Sequence, residues 1–285
     1  MTDDPEQHTM TFWEHLEELR TRIIRALLAS LVGVGVSWYY REKLLVWLTR
    51  PFIEAWNAGH IAGKAALHFP APASLFVAYV KIAIVGGLVL ALPVTLYQLW
   101  SFVAPGLYSR EKRLALPFVF CSCLLFAAGG YFGWKVAFPI AFQYFLGFSG
   151  NLAEGFEVTP TVMVGDYIEF VSRMLFAFGA VFELPILIFF LSVAGVVTSQ
   201  QLMRFFRYFI VVAFVVSAII TPPDVTSQFL LAVPLIGLYG VGIGIAWIVD
   251  KKRARRERKA AADDAREHDD EDDDDNDDDD ERDSG

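Results

Sequence analysis

The sequence predicts an all-α integral membrane protein with six transmembrane helices. Its residues are 55% hydrophobic and its mean hydropathy is +0.42, values that soluble domains rarely sustain. Six apolar segments reach, or nearly reach, the length of about 20 residues that a helix needs to cross a bilayer. These segments are residues 22–40, 74–99, 114–138, 164–193, 207–221 and 228–249.

The connections between these segments predict their orientation, because Lys and Arg accumulate on the cytoplasmic side of a membrane. Fifteen basic residues fall on one side, within 20–25, 110–113, 204–207 and 251–259. Four fall on the other side: Arg41, Lys43, Arg50 and Lys64. We therefore expect a multi-pass protein of the cytoplasmic (inner) cell membrane with both termini inside.

Local signals shape individual segments. Thr11 and Glu14 form a capping box that predicts a helix start just before the first segment. The stretch 44–56 mixes aromatic and charged residues and is expected to lie along the outer interface.

The fifth segment, 207–221, would reach only about 22 Å, so we expect a thinner bilayer or an oblique helix there. Prolines inside the segments predict bent helices that form a concave, cupped wall: Pro93, Pro117, Pro185 and Pro234.

The chain divides into a membrane domain, 1–250, and a cytoplasmic tail, 251–285. The tail begins with the basic run 251–259 and continues with 263–285, which holds 16 acidic and 2 basic residues. Such a polyacidic segment cannot bury apolar surface, so we expect it to be disordered. Its negative sign also argues against nucleic-acid binding.

One acidic residue interrupts the most apolar segment. In "AFGAVFELPILIFF" (177–190), Glu183 stands alone among apolar, glycine and proline residues. A charge at the bilayer centre costs about 2.5–3.5 kcal/mol on insertion scales. Glu183 therefore either makes a structural hydrogen bond to another helix or marks a functional polar point in a cavity. We favour the functional interpretation, since intramembrane acids are usually functional.

Other charges inside the segments have simpler explanations. Glu169 and Arg173 are four residues apart near the outer end of the fourth segment and are expected to pair. Lys81 lies close enough to the outer surface to extend its ammonium group into the interface. None of the three requires a functional role.

Two carboxylates are expected at the cytoplasmic surface. Glu18 lies in "TFWEHLEELRTRIIRALL" (11–28), and Glu111 lies in the loop "LWSFVAPGLYSREKR" (99–113). Each could be an ordinary solvated charge. Considered together, the two carboxylates could each accept a bidentate guanidinium, which would suit a ligand that carries two arginines.

The outer turn "TPPDVTSQ" (221–228) also carries polar groups. Pro222 and Pro223 are expected to end the fifth helix in a tight turn. Asp224 could cap the sixth helix or pair with a base on an outer segment. Thr221 and Gln228 lie at helix ends, where ordinary capping is a sufficient explanation.

Four blocks in this order resemble the TatC family, the polytopic core of the twin-arginine protein translocase. The blocks are "FWEHLEELRTRI", "FVAPGLYSREK", "FGAVFELP" and "ITPPDVTSQFLLAVPLIGLY", and the resemblance covers residues 12–240. It implies a signal-peptide receptor that recruits folded proteins for export, driven by the transmembrane potential or proton gradient. The implied partners are twin-arginine signal peptides, TatA- and TatB-like single-span subunits and membrane lipids, in an oligomeric complex without a cofactor.

The resemblance also implies roles for particular residues. It assigns signal-peptide binding to Glu18, Phe102, Pro105 and Glu111. It assigns partner-helix contacts to Glu183, Thr221 and Gln228, and importance to Asp224 in the outer turn. We expect Arg20, in the first block, to fix its helix against the loop. Gly240 stands where many family members have an acid, which weakens the expected partner surface on the sixth helix.

Two other functions are less consistent with the sequence. A proton-coupled small-molecule transporter could use Glu183 as its proton carrier, but the chain shows no internal repeat and few intramembrane charges. An intramembrane serine protease is suggested only by "GFSG" (147–150), which lies in an outer loop. No histidine lies in a predicted membrane-spanning segment to serve as its base. We therefore expect neither catalysis nor a metal site.

Overall fold

A computed structural model describes most of the chain. The described residues are 12–59, 61, 63–103, 115–153, 156–222 and 224–280. Thr11, Pro105, Glu111 and Pro223 lie outside them, so the expectations placed on these four residues remain predictions. Contacts divide the chain into two compact units. Unit 1 is Met1–Leu184 with Tyr208–Leu238, and unit 2 is Pro185–Arg207 with Tyr239–Gly285.

Helices make up most of the described structure. They are α1 (Phe12–Tyr39), α2 (Arg41–Ala58), α3 (Pro72–Val103), α4 (Ala115–Phe132), α5 (Phe138–Leu146), α6 (Val164–Phe182), α7 (Leu184–Val193), α8 (Ser199–Ile220) and α9 (Val225–Asp280). Among the described residues, five helical stretches are long and apolar enough to cross a membrane, or six if the bent pair α1–α2 counts as one. The prediction of an all-α integral membrane protein is confirmed, while the orientation remains a prediction.

Helix α2 leaves the direction of α1 at a sharp bend of 80°. Its position is set by aromatic contacts. The Tyr167 hydroxyl donates a 2.7 Å hydrogen bond to the Leu48 carbonyl, and the rings of Trp47 and Trp134 stack with centroids 5.0 Å apart. Such a bend is what a helix along the membrane interface requires when the preceding helix crosses the bilayer, as expected for 44–56.

Helices α1 and α3 meet through glycines. A Cβ atom on Gly33 would overlap the carbonyl group of Gly87, and one on Gly87 would overlap the backbone of Val34. Because both side chains are absent, the two helix backbones can approach directly, as in other membrane interfaces built on small residues. This packing brings the Glu18 end of α1 beside the C-terminal end of α3.

The third membrane-crossing stretch is longer and less regular than predicted. It runs from Pro117 to Leu146 and contains a π-helical turn, Gly133–Ala137, between α4 and α5. A π-turn accommodates an extra residue within a helix, a feature that hydropathy does not signal. Pro117 is the third described residue of α4, and its predicted bend remains a prediction.

The fifth membrane-crossing helix is not short. Helix α8 has 22 residues, which corresponds to about 33 Å and removes the reason to expect a thinned bilayer. Its first two turns contain polar residues, so the hydropathy pattern did not include them in the predicted segment. A reciprocal capping box marks its true start: Thr198 N–H donates to Gln201 Oε1 at 2.9 Å, and Gln201 N–H donates to Thr198 Oγ1 at 3.4 Å.

The connections between α2 and α3 and between α5 and α6 contain short strands that the sequence did not predict. Strand β1 (Leu67–His68) pairs in parallel with β4 (Val162–Met163). Strand β2 (Gly150–Ala153) pairs antiparallel with β3 (Phe156–Val158). Segments of two to four residues are too short to show a periodicity of two, so the sequence carries no signal for them.

Helix α9 continues through the tail to Asp280, although composition predicts disorder from residue 263. Local helix preferences account for the start of this extension. Arg253 and Glu257 form an ion pair one turn apart at 3.1 Å, and the alanines at 260–262 are strong helix formers. These features explain the helix only as far as residue 262, and the disorder expected of the acidic tail remains a prediction.

Candidate functional site

Glu18 on α1 binds a guanidinium group from within the chain. Arg22, one turn later, donates from Nε to Glu18 Oε1 at 3.0 Å and also donates from Nη2 to the same oxygen. The two side chains are only 23% and 18% exposed, with Glu18 the more exposed. Glu18 is thus a partly shielded carboxylate with the geometry to hold an arginine.

Arg22 also connects this pair to α3. Its Nη1 donates to the backbone carbonyl of Gln98 at 3.5 Å. Phe102, half-buried in the last turn of α3, lies one helical turn beyond Gln98. Glu18, Arg22 and Phe102 therefore gather at the same end of the α1–α3 pair.

Among the described residues, Arg22 is a cation that ties α1 to α3, whereas the contact expected of Arg20 is with the loop. Arg20 is exposed, and the loop residues it was expected to contact, 104–114, are outside the described part of the chain. Sequence reasoning missed Arg22 even though its spacing of four from Glu18 is the standard signal for a helical ion pair. The predicted contact of Arg20 with the loop remains a prediction.

Glu183 lies at the break between α6 and α7. Its N–H bonds the Ala180 carbonyl at 3.1 Å, which closes the last turn of α6. Pro185 has no N–H to donate to the carbonyl four residues earlier, so the helical hydrogen-bond pattern is interrupted here. The Glu183 side chain is half-buried, and its Oε1 accepts no hydrogen bond from the described residues.

A line of polar groups reaches Glu183 from α3. The Trp100 Nε1–H donates to Ser122 Oγ at 2.9 Å, and Ser122 is fully buried on α4. The same hydroxyl lies beside the Glu183 carboxylate. Trp100, Ser122 and Glu183 thus connect the end of α3 near Phe102 with the α6–α7 break, all within unit 1.

Asp224 caps α9 at the outer turn. Its Oδ1 accepts the N–H of Ser227 at 2.7 Å, three residues later, the usual geometry of an N-cap. Of the two roles left open for Asp224, this contact supports capping. Pro222 precedes it and accepts the Asp224 N–H at its carbonyl, at 2.7 Å.

Thr221 and Gln228 have partners within the chain. Thr221 directly follows α8, and its hydroxyl donates to the Ser217 carbonyl in the last turn of that helix at 2.8 Å. Gln228 Nε2 donates to the Phe214 carbonyl at 3.0 Å and ties α9 to α8. These contacts fit the structural explanation of both residues, and their role in docking a partner helix remains a prediction.

A cluster of charges links α3 to α6 nearer the outer side. Glu169 pairs with Arg173 at 2.5 Å, as its spacing predicts, and with Lys81 at 3.0 Å. From its position in the sequence, Lys81 was expected only to extend toward the interface. Hydropathy does not show which helices are neighbours, so its pairing with Glu169 could not be predicted. Lys81 instead contributes an interhelical ion pair.

Long apolar helices that carry few charged residues, seen in the described part of the chain, define a polytopic α-helical membrane protein. Among the described residues no group of three or more His, Cys, Asp or Glu could hold a metal ion. The family model described as Sec-independent protein translocase protein (TatC) matches residues 14–234. The chain belongs to the TatC family.

Individual relatives agree over most of the chain. It is 40% identical to the Sec-independent protein translocase protein TatC of Koribacter versatilis, over 86% of this chain and 88% of the relative. It is 38% identical to the TatC of Aquifex aeolicus, over 86% of this chain and 98% of the relative. A crystal structure of a twin-arginine translocase receptor, TatC, superposes with a TM-score of 0.72 at 38% identity, covering 83% of this chain and all of that one.

Proposed function

We propose that the chain is the core subunit and signal-peptide receptor of a twin-arginine translocase. It lies in the cytoplasmic membrane with both termini inside, and it acts in transport rather than catalysis. The observation that carries the proposal is the Glu18–Arg22 pair, since a carboxylate that already holds one guanidinium can hold another of the same chemistry. The structural similarity to a twin-arginine translocase receptor supports it.

The binding step is an exchange of guanidinium groups. A signal-peptide arginine displaces Arg22 from Glu18. The carboxylate is paired with a guanidinium group before and after this exchange, so the exchange adds little desolvation cost for Glu18. The second arginine binds Glu111, which the family motif assigns to this surface together with Pro105. Phe102, half-buried at the end of α3, offers an aromatic face to the peptide.

Assembly with single-span TatA- and TatB-like subunits is assigned to Glu183. Its buried Oε1 has no hydrogen-bond donor among the described residues, so a polar group on a partner helix would satisfy it. Thr221 and Gln228 would contribute their remaining hydrogen-bonding capacity. Pro222, Pro223 and Asp224 would hold the outer turn that positions them. Family membership favours this role over the proton-coupled transporter that Glu183 also suggested.

The test is peptide binding to the full-length protein in lipid nanodiscs. A signal peptide with two arginines should bind more tightly than the same peptide with two lysines, because lysine cannot form the bidentate contact. Glu18→Gln should weaken binding of the arginine peptide by about tenfold or more, the usual value of a charge-assisted hydrogen bond. Glu17→Gln is the matched control, since Glu17 is exposed and its substitution removes the same charge one residue away.

Equal affinity for the two peptides would contradict the receptor function. Equal losses for Glu17→Gln and Glu18→Gln would contradict the assignment of the site, because only general charge would then matter. Uptake of a small solute that Glu183→Ala abolishes would instead support the transporter.

A further inference from the structure

A groove in unit 2 is not explained by signal binding or by partner assembly. It opens between the first two turns of α8 and the part of α9 that precedes the basic run 251–259. Its volume is about 490 Å³. It is lined by Ser199, Gln200, Met203, Arg204, Ile243, Gly244 and Trp247.

The floor of the groove is apolar and open. Ile243 is buried beneath it, while Met203 and Trp247 are 63% and 55% exposed. Gly244 leaves the space between them empty, because a Cβ atom there would meet no other atom within 4 Å. An alkyl chain could therefore lie against this floor without displacing any side chain.

The rim of the groove is positively charged. Arg204 is exposed and makes no ion pair with any described residue. The Lys251 ammonium group lies 4.8 Å from the centre of the Trp247 ring, which holds it over the same opening. Asp250 is the neighbouring acid, but its Oδ2 accepts the Ser199 N–H at 2.8 Å and stabilises the start of α8.

The depth of the groove matches a membrane surface. Trp247 lies 22 residues beyond Val225, the first residue of α9, and this length corresponds to about 33 Å of helix. The hydrocarbon core of a bilayer is about 30 Å thick, so Trp247 and Arg204 fall at the headgroup level. The distribution of Lys and Arg assigns this level to the cytoplasmic leaflet, where anionic lipids meet basic residues.

We propose that this groove binds one anionic phospholipid. Arg204 and Lys251 hold its phosphate, and one acyl chain lies over Gly244 and Ile243. Two rim cations favour a phosphate over an apolar partner helix, which would leave both of them unpaired. This site does not depend on the receptor function.

The experiment is native mass spectrometry of the full-length protein titrated with single lipids. Phosphatidylglycerol should bind about tenfold more tightly than phosphatidylcholine, and inorganic phosphate at the same concentration should not compete. Arg204→Gln should weaken phosphatidylglycerol binding by about fivefold. Arg255→Gln removes the same charge from the exposed basic run outside the groove and should have less than half of that effect.

A second pair of variants tests the floor. Gly244→Leu fills the groove and should abolish the tight phosphatidylglycerol site, whereas Gly237→Leu, also placed in open space, should not. The proposal fails if Arg204→Gln and Arg255→Gln weaken binding equally, if phosphatidylcholine binds as well as phosphatidylglycerol, or if Gly244→Leu leaves lipid binding unchanged. Loss of a single-span partner from Gly244→Leu with normal lipid binding would assign the groove to a helix instead.

Discussion

Trp100 on α3 donates a 2.9 Å hydrogen bond to Ser122 on α4, and Ser122 lies beside the carboxylate of Glu183. This contact joins two parts of the molecule that the sequence treats as separate. Trp100 is two residues before Phe102 in the proposed signal-peptide surface, and Glu183 is the proposed contact for a partner helix. The three residues are therefore in contact between the two proposed surfaces.

Ser122→Ala should separate signal binding from assembly. It removes the acceptor for a buried indole N–H and should lower the free energy of unfolding by about 1 kcal/mol. Peptide affinity should change little, while recovery of single-span partners in a pull-down should fall. Ser30→Ala is the control, because the Ser30 hydroxyl bonds only its own helix, at the Ala26 carbonyl. Normal partner recovery from Ser122→Ala would show that the contact has no role in assembly.

Gly33→Val should disrupt the α1–α3 interface. The added side chain would overlap the backbone of Gly87, an overpacking that should cost about 1–3 kcal/mol of stability. Peptide binding should weaken as well, because the displaced α1 carries Glu18. Gly35→Val should leave both properties almost unchanged, since a Cβ there meets nothing within 4 Å. Thermal unfolding in detergent and peptide titration measure the two effects, and similar values for both variants would contradict the packing argument.

Arg22→Gln should strengthen signal-peptide binding and weaken the fold. It removes the internal competitor for Glu18 and also the hydrogen bond to Gln98. We expect the affinity for the signal peptide to rise about fivefold, which corresponds to about 1 kcal/mol, because Arg22 no longer competes for Glu18. Arg25→Gln removes the same charge from an exposed position and should not produce this gain. Weaker binding by Arg22→Gln would indicate that Arg22 positions Glu18 rather than competing for it.

The stability that the charge cluster on α3 and α6 contributes should depend most on its shared acid, Glu169. Glu169→Gln leaves both Lys81 and Arg173 without their shared carboxylate, whereas Arg173→Gln leaves the Glu169–Lys81 pair intact. Glu169→Gln should therefore lower the stability more than Arg173→Gln does. Unfolding in detergent measures the difference, and equal stability of the two variants would mean that Lys81 contributes nothing.

Glu183→Ala should spare signal binding and impair assembly or transport. The change removes the carboxylate at the α6–α7 break but leaves the Glu18 surface intact, since no described contact joins Glu183 to α1. Partner recovery should fall clearly, and peptide affinity should stay within about twofold of the unmodified protein. Normal transport by Glu183→Ala would contradict the assignment.

The fold class was predictable because a helix that crosses a bilayer needs a long apolar segment, and hydropathy detects such segments directly. Helix limits were predicted less well where polar residues extend a helix beyond the apolar stretch, as at the start of α8. The π-turn at Gly133–Ala137 and the short outer strands leave no periodic pattern in the sequence. Helix propensity explains the extension of α9 beyond the apolar stretch only as far as the alanines at 260–262.

The site was only partly predictable, for a similar reason. Glu183 stood out because it is the one charge in an apolar segment, whereas Glu18 stood out only when it was considered with Glu111 and through the family motif. Arg22, Ser122 and Lys81 matter through contacts between residues on different helices, and the sequence does not show which helices are neighbours. Trp100 likewise matters through its hydrogen bond to Ser122, which lies on a different helix.

The central claim is that Glu18 binds a signal-peptide arginine, and a double-mutant cycle tests it most directly. Affinities would be measured for peptides with two arginines or two lysines, against the unmodified protein and Glu18→Gln. The unmodified protein should bind the arginine peptide about tenfold or more tightly than the lysine peptide. In Glu18→Gln, most of this preference for arginine should be lost. An equal preference for arginine in both proteins would show that the peptide's arginines bind elsewhere.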